Sequence, residues 1–319
     1  MQRSEDGAIM SSTPRIAVVV PCFDEESTVG TVVDDFRRNL PTARVFVIDN
    51  ASRDATATIA REHGAVVIHE PRPGKGHAVR RAFADIEADV YVMVDGDATY
   101  DASAAPAMVE RLLGERLDYV NGRREYDDPS GQRRGHVLGN RMLSRSVATI
   151  FRHPVGDMLS GYKALSRRFV KSFPLTSTGF EIETELGVHA LQLQVPSAEH
   201  PCRYLDRPED STSKLRTFRD GRRILLTILR LAERERPVAV FGATAVVLSV
   251  VALGLGIPVV LEFRETGLVD RFPTAILATG LSILGMLSLV TGLILDAVQH
   301  GRHETKRLAY LAMPGPSAD

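Results

Sequence analysis

Short apolar runs alternate with amphipathic stretches over the first 122 residues of the chain. The apolar runs are largely β-branched, which is typical of buried strands, and they occupy residues 16–20, 45–48, 66–69, 90–94 and 119–122. The stretches between them predict helices over 27–39, 54–64, 76–87 and 103–114, with Ser27 and Asp54 as caps. This alternation predicts a parallel sheet with right-handed crossovers, in which the first four strands end at one edge.

The pattern is less regular after residue 122. Residues 123–135 are polar and charged, which predicts a loop. A helix near 136–151 is expected next, and then a turn over 157–163 that leads into a short strand. The last predicted elements of this part are a helix over 180–193 and a strand over 195–204.

Two long apolar runs follow, Val238–Leu261 and Thr274–Leu295, and neither contains a charged residue. Each exceeds the roughly 20 residues that cross a bilayer core. A buried hairpin in a soluble protein is the alternative. The flanks of the pair are richer in arginine and lysine than the connector at 262–272, so the positive-inside rule puts both flanks in the cytoplasm.

The segment before the first apolar run combines leucine and isoleucine at helical spacing with seven arginines. It predicts a basic amphipathic segment at the membrane surface, and an ordinary helix packed on the preceding domain is the alternative. The predicted organisation is a disordered lead-in (1–14), an α/β domain (15–212), the basic juxtamembrane segment (213–236), a two-helix membrane domain (237–298) and a tail (299–319).

Charge and cysteine content exclude several classes of protein. The chain has 39 basic and 40 acidic residues, a balance that argues against a whole-chain nucleic-acid binder. Its two cysteines, Cys22 and Cys202, lack the spacing of a zinc site or a disulfide framework. Neither nucleic acid nor structural zinc is therefore expected.

Candidate chemistry begins where the fourth predicted strand ends, at Asp95-Gly96-Asp97. Side chains two residues apart on an extended chain point the same way, so the two carboxylates would form a hard-oxygen site for Mg²⁺ or Mn²⁺. The alternative is a solvated turn, because Asp and Gly both favour turns.

The order of several motifs resembles that of family-2 glycosyltransferases of GT-A fold. The motifs are Val20–Glu26, Val47–Asp54, Gly74–Gly76 and Val94–Asp97. Asp157–Lys163, followed by Arg207 and Ser211–Lys214, is similar to the polyprenyl-phosphate branch, which includes dolichyl-phosphate mannose synthases and bactoprenol-phosphate glucosyltransferases. The resemblance implies a Rossmann-like, mostly parallel α/β domain followed by the amphipathic segment and two transmembrane helices.

The activity implied by the resemblance is that of an inverting, metal-dependent hexosyltransferase. It would move a single sugar from a nucleotide-sugar, UDP-linked by our interpretation, to polyprenyl phosphate for cell envelope glycan biosynthesis. The protein would be a multi-pass protein of the inner (cytoplasmic) membrane, with the catalytic domain and both termini in the cytoplasm. The sequence leaves open whether the chain forms a homo-oligomer.

Site residues follow from the residue chemistry and the resemblance together. Asp97, with Asp95 close by, would hold the metal. The nucleotide-sugar site would comprise Pro21, Phe23, Glu25, Asp49, Lys75 and Asp95. The acceptor phosphate, which needs cations rather than a strong base, would meet Arg123, Arg207, Ser213 and Lys214. Asp97, Arg123 and Asp157 are the catalytic candidates, with Asp157 as a base or as the residue that orients a basic partner.

Structural roles compete with several of these assignments. Glu25 could complement a helix dipole, Lys75 could be a solvated loop lysine, Arg123 could form a surface salt bridge and Asp157 could cap a turn. Asn50, Thr99 and Phe23 depart from the commoner family pattern and leave the donor sugar open.

Two other functions remain open at this stage. One is a family-2 transferase with another lipid-linked or polysaccharide acceptor, although the chain has no tryptophan for the Gln-x-x-Arg-Trp motif of processive synthases. The other is a non-catalytic membrane scaffold that binds nucleotide-sugar.

Overall fold

The computed structural model describes residues 13–126, 145–149, 151, 156–175, 179, 181–205 and 231–316. The chain divides into two compact units. The first is made of residues 1–215 and 306–319 and contains the α/β sheet, and the second is made of residues 216–305 and contains most of the two long apolar helices. Arg207, Ser213 and Lys214 lie outside the described residues, as does most of the predicted amphipathic segment.

A seven-stranded sheet forms the centre of the α/β unit. Its strands are β1 (Ile16–Cys22), β2 (Arg44–Asp49), β3 (Val66–His69), β4 (Val90–Met93), β5 (Tyr119–Tyr126), β6 (Lys163–Ser166) and β7 (Ser197–Tyr204). The helices are α1 (Val29–Asn39), α2 (Thr56–Glu62), α3 (Lys75–Asp85), α4 (Ala105–Gly114), α5 (Arg167–Ser172) and α6 (Ile182–Leu193). The strand order is β3-β2-β1-β4-β6-β5-β7.

The sheet is mostly parallel, as predicted. Strands β1 to β4 are parallel neighbours, and β5 pairs in parallel with β7. Strand β6 is antiparallel to both β4 and β5, with Ala164 opposite Val92 and Val120. The parallel order of β1, β2 and β4 brings their carboxyl ends together. We call the loops that follow these three strands the carboxyl edge.

Helices cover both faces of the sheet, which explains why its central strands β1 and β4 are apolar throughout rather than alternating. Val18 and Val20 of β1 join a core with α1 and α4, which contribute Phe36 and Met108 among others. Neighbouring residues of β1 face the opposite core, formed with α3, α5 and α6. The strands are therefore fixed from both sides.

Some predicted boundaries were wrong. Helix α1 begins after Thr28 instead of Ser27, and α2 begins at Thr56, whose backbone N–H donates to Asp54 at 3.0 Å. Strand β5 continues to Tyr126 through part of the predicted loop, because the whole of β7 pairs with it. Long-range pairing of this kind leaves no signal in the local pattern.

The second unit contains α7 (Pro237–Thr266) and the first part of α8 (Phe272–Leu311). Both helices are long and apolar enough to be candidate membrane spans. Small and apolar residues spaced seven apart are buried on each helix: Ala245, Ala252 and Val259 on α7, and Ala278, Gly285 and Gly292 on α8. A seven-residue period keeps one stripe of a helix facing its neighbour, and small residues let two backbones approach closely.

The last part of α8 extends beyond the apolar run and belongs to the α/β unit. There the hydroxyl of Tyr310 donates to Oδ2 of Asp118 at 2.7 Å, and Arg168 lies over the Tyr310 ring. Asp118 directly precedes β5, at the end of the sheet opposite the carboxyl edge. The chain therefore contributes its last described residues to the α/β unit.

Candidate active site

Backbone contacts hold the carboxyl edge together. The Asn50 N–H donates to the carbonyl of Cys22 at 2.8 Å, which joins the loops after β1 and β2. The Thr28 hydroxyl donates to the carbonyl of Gly96 at 2.7 Å, which joins the loops after β1 and β4. The polar residues predicted to meet at this edge do so.

Left-handed backbone is concentrated at the same edge. Asp24, Ala51 and Ala98 have φ of 51°, 60° and 56°, and they follow β1, β2 and β4 respectively. The other non-glycine residues with positive φ in the described part of the chain, Arg116 and Gln194, follow helices. Such backbone costs energy and persists where the surrounding structure fixes it, commonly at functional sites.

The two acidic residues after β4 are held by different partners. The buried Asp97 accepts hydrogen bonds on Oδ1 from the hydroxyl of Thr99 at 2.6 Å and from its N–H at 3.3 Å. The Asp95 carboxylate lies against Gly161, where a Cβ would overlap it. A side chain at position 161 would therefore force the Asp95 carboxylate to move.

The donor set suits a divalent ion that is shared with a substrate. Within the described residues, no group of three His, Cys, Asp or Glu side chains could enclose a metal. Two carboxylates alone leave most positions for phosphate oxygens and water, and this is how Mg²⁺ and Mn²⁺ are commonly held at phosphate sites. Asp95 and Asp97 fit that role.

Lys75 lies at the start of α3, after Gly74 with φ of 127°. Its ammonium group donates to the carboxylates of both Asp95 and Glu183. Only 9% of the Lys75 side chain is exposed, so it is not a solvated loop lysine. Burial alone would lower the pKa of Lys75, but the two carboxylates raise it above the ordinary value and keep the side chain charged.

Glu183 is a candidate site residue that sequence reasoning missed. It lies in the first turn of α6, and 6% of its side chain is exposed. Burial raises the pKa of this carboxyl group, and Lys75 opposes that effect. Acidic residues commonly complement the dipole of a first turn, so the sequence carried no signal of a partner 108 residues away.

The nucleotide-binding candidates surround the loop after β2. Asp49 is buried, and its Oδ2 lies 2.9 Å from Nδ1 of His69. The side chain of Asn50 accepts from the N–H of Gly74 at 2.7 Å and donates to the carbonyl of Arg72 at 2.6 Å, which anchors the loop leading to Lys75. Asn50 thus supports the edge structurally.

The remaining nucleotide-binding candidates follow β1 or end it. Pro21 is half-buried in the strand, and Phe23 is 37% exposed beyond it. The backbone N–H of Glu25 donates to the hydroxyl of Thr56 at 2.8 Å, which fixes the loop. Pro21 therefore lies at the end of β1, and Phe23 and Glu25 lie in the loop that follows it at the carboxyl edge.

Asp157 forms a two-pronged ion pair with Arg124. The distances are 2.6 Å from Nε of Arg124 to Oδ2 of Asp157 and 2.7 Å from Nη2 to Oδ1. The Arg124 side chain is 17% exposed and the Asp157 side chain is 9% exposed. Burial would lower the pKa of Arg124, but Asp157 raises it. Both carboxylate oxygens are engaged, so this geometry favours Asp157 as a residue that orients a cation over Asp157 as a base.

Arg123, which the sequence analysis assigned to the acceptor phosphate, does not contact Asp157 but forms a surface ion pair. Its guanidinium group donates to Glu125 at 2.7 Å, and about half of each side chain is exposed. Adjacent residues of a strand face opposite sides, so a difference of one position separates this surface pair from the pair at Asp157. Arg124 is therefore the second residue that sequence reasoning missed.

Lys163 is fully buried beneath Asp157. Its ammonium donates to Oδ1 of Asn121 at 2.6 Å, and the Asn121 amide donates to the carbonyl of Asp157 at 2.9 Å. Burial lowers the pKa of Lys163 to about 8. This chain of contacts fixes the backbone of the turn that presents Asp157.

Both the sequence and the fold of this chain are similar to those of known proteins. The family model for glycosyl transferase family 2 matches residues 17–173. The glycosyltransferase AglJ of Haloferax volcanii is 33% identical over 305 residues, which span 95% of this chain and all of AglJ. The chain belongs to glycosyltransferase family 2. It is thus a glycosyltransferase of GT-A fold, and the matched residues include both the carboxyl edge and the Arg124–Asp157 pair.

Two further similarities concern substrates of other members of the fold. A dolichyl-phosphate hexose transferase of Haloferax volcanii is 29% identical over 222 residues, covering 69% of this chain and 95% of that protein. The glucosyl-3-phosphoglycerate synthase of Mycobacterium tuberculosis, solved with Mn²⁺, UDP-glucose and phosphoglyceric acid, superimposes with a TM-score of 0.53 at 26% identity. That comparison covers 68% of this chain and 79% of the synthase.

Proposed function

We propose that this glycosyltransferase moves one sugar from a UDP-sugar to polyprenyl phosphate, with inversion at the anomeric carbon. The observation that carries the proposal is the turn at residues 157–162. At one end of this turn Asp157 orients Arg124, and near the other end Gly161 lies against Asp95. The turn therefore connects two parts of the site. One is the acidic edge at Asp95, which is suited to a metal–diphosphate complex, and the other is the partly buried guanidinium of Arg124, which is suited to a second anion.

The donor half of the proposal assigns Asp95 and Asp97 to a divalent ion, Mg²⁺ or Mn²⁺. Such an ion would neutralise the diphosphate and stabilise the departing UDP. Asp49 would bind the base or ribose, with Pro21, Phe23 and Glu25 lining that pocket. Lys75 would approach the phosphates from the glycine loop. The UDP-glucose and Mn²⁺ of the solved synthase support this half.

The acceptor half rests on the charge of the nucleophile. A phosphate monoester is largely dianionic near neutral pH, since its second pKa is about 6, so it attacks without a strong base. The site must instead hold two anionic substrates close together, which requires fixed cations. Arg124 supplies one, and we assign Arg207, Ser213 and Lys214 to the same phosphate. The dolichyl-phosphate hexose transferase relative supports a lipid acceptor.

We further propose that α7 and α8 cross the cytoplasmic membrane, with the α/β unit in the cytoplasm. The asymmetry of arginine and lysine around the two apolar runs supports this orientation. A cysteine at Gly267, between the helices, should then react with an impermeant thiol reagent on intact cells, and a cysteine at Ser213 only after lysis. Reaction of both on intact cells would contradict the orientation.

The metal role is tested with purified protein, polyprenyl phosphate and a panel of radiolabelled UDP- and GDP-sugars. Asp97→Asn keeps the size of the side chain but removes a charged ligand, so transfer should fall by about 100-fold or more. Excess chelator should do the same to the unmodified protein, and added Mn²⁺ should restore it. Full turnover by Asp97→Asn, or by the chelated protein, would refute the role.

A further inference from the structure

The ion-pair cluster of Lys75, Asp95 and Glu183 joins three separate elements of the α/β unit. Lys75 begins α3, Asp95 follows β4 and Glu183 lies in the first turn of α6. One ammonium group donates to both carboxylates, so a single positive charge is shared between two negative charges. Only one of these carboxylates, that of Asp95, belongs to the proposed metal site.

Glu183 is the fixed member of this cluster. Its neighbours in α6, Ile182 and Leu186, are buried in the core that α3, α5 and α6 form on one face of the sheet. Those contacts hold the backbone of the first turn, and Glu183 has few positions to adopt. The Lys75 side chain is longer and ends in a point charge that can donate in several directions. Any adjustment of the pair is therefore made by the lysine.

The position of the ammonium has a consequence for metal binding. Lys75 contacts Asp95 on the carboxylate that a divalent ion would use. The lysine contacts Oδ1, so an ion that bound this oxygen would displace the lysine from Asp95. A buried ammonium that loses its carboxylate is destabilised unless another counterion remains. Glu183 is that second counterion, because it already contacts Lys75.

We propose that Glu183 is a positioning residue that retains Lys75 when a divalent ion takes Asp95. This inference rests on the proposed function, since it assumes that Asp95 exchanges a lysine for a metal–nucleotide complex. The exchange needs no covalent step. Glu183 does not touch the ion, and it acts only through Lys75.

The variant that isolates this role is Glu183→Gln, which keeps the shape of the side chain and an oxygen acceptor but removes the charge. Lys75 then has Asp95 as its only carboxylate in the cluster, and the ion must separate that pair. We expect the dissociation constant for Mn²⁺ with saturating UDP to rise about tenfold. It is measured on the full chain in detergent from the electron paramagnetic resonance signal of free Mn²⁺, without any turnover.

Two matched variants separate positioning from a general loss of structure. Glu183→Asp restores the charge and should bind Mn²⁺ within about threefold of the unmodified protein, since the flexible lysine can follow a shorter carboxylate. Glu185→Gln makes the same change two residues further along α6, about 200° around the helix axis, and should leave Mn²⁺ binding unaltered. A thermal unfolding curve for each variant confirms that it is folded.

A double-mutant cycle with Lys75→Met decides whether Glu183 acts through the lysine. With the lysine removed, Glu183→Gln should change the Mn²⁺ dissociation constant by less than about twofold. A tenfold loss in both backgrounds would assign Glu183 to the ion itself and overturn the proposal. Loss of all Mn²⁺ binding in Lys75→Met, at a UDP concentration shown to saturate that variant, would also overturn it, because the lysine would then be required by the ion instead of competing with it.

The same measurements distinguish failure of this inference from failure of the proposed function. If the unmodified protein binds Mn²⁺ and UDP while Glu183→Gln binds them equally well, only the role of Glu183 is refuted. If the unmodified protein binds neither, the proposed donor site is refuted, and the role of Glu183 with it.

Discussion

Arg123 and Arg124 differ by one position and have very different surroundings. Arg124 is partly buried, pairs through two contacts with Asp157 and lies 5.5 Å from the ring centre of Tyr204. Arg123 pairs with Glu125 at the surface. An exposed pair contributes little to stability, whereas loss of one partner from a buried pair leaves an uncompensated charge.

The two arginines should therefore differ in how much their replacement by alanine changes the free energy of unfolding. Arg124→Ala should lower the free energy of unfolding by about 3 kcal/mol, because the buried Asp157 carboxylate loses its ion pair with Arg124. Arg123→Ala should change it by less than about 0.5 kcal/mol. Thermal or denaturant unfolding in detergent measures both. Equal effects of the two substitutions would contradict the different environments.

Candidate residues were located correctly where a local pattern fixes their position. Asp49 ends β2, Asp95 follows β4, and Lys75 lies between two glycines at the start of α3. Arg124 and Glu183 were missed for physical reasons. Recognition of Arg124 depends on which side of β5 its side chain faces. Recognition of Glu183 depends on a contact with Lys75, which is distant in the sequence. Neither feature can be obtained from a local sequence pattern.

The strands were predicted most accurately where apolar residues follow one another directly. Strand β3 was predicted at its observed residues, and β4 within one residue, because three residues of β3 and all four of β4 are apolar. Strand β5 was predicted four residues too short, since its charged half is stabilised by pairing with β7. The antiparallel direction of β6 follows from the turn before it, and the strand's own sequence does not reveal it.

Helix α8 offers a matched test of how its small residues pack in the second unit. A Cβ on Gly292 would lie 3.0 Å from Cβ of Phe241, whereas nothing lies within 4 Å of a Cβ on Gly280. Gly292→Leu should therefore separate α7 and α8 and lower the unfolding temperature in detergent by several degrees. Gly280→Leu should have little effect. A larger loss from Gly280→Leu would refute the contact along the seven-residue stripe.

The whole molecule combines a family-2 glycosyltransferase unit with two candidate membrane spans in one chain. The length of the two apolar runs predicted two membrane spans. Helix α8 extends beyond the second run, through the polar residues that follow it. Residues 306–316 join the α/β unit, where Tyr310 donates to the buried Asp118. A chain cut before residue 306 would lose that hydrogen bond, so protein prepared for biochemical work should retain these residues.

The central claim concerns which bond is broken and which group is transferred. A UDP-sugar labelled with ³H in the sugar and ³²P in the β-phosphate, incubated with the purified protein, polyprenyl phosphate and Mn²⁺, tests it most directly. We expect ³H in the lipid fraction and ³²P in released UDP, because the phosphate of the product comes from the acceptor. Both labels in the lipid would indicate transfer of a sugar phosphate. Absence of lipid-linked ³H with every donor of the panel would equally contradict transfer to polyprenyl phosphate.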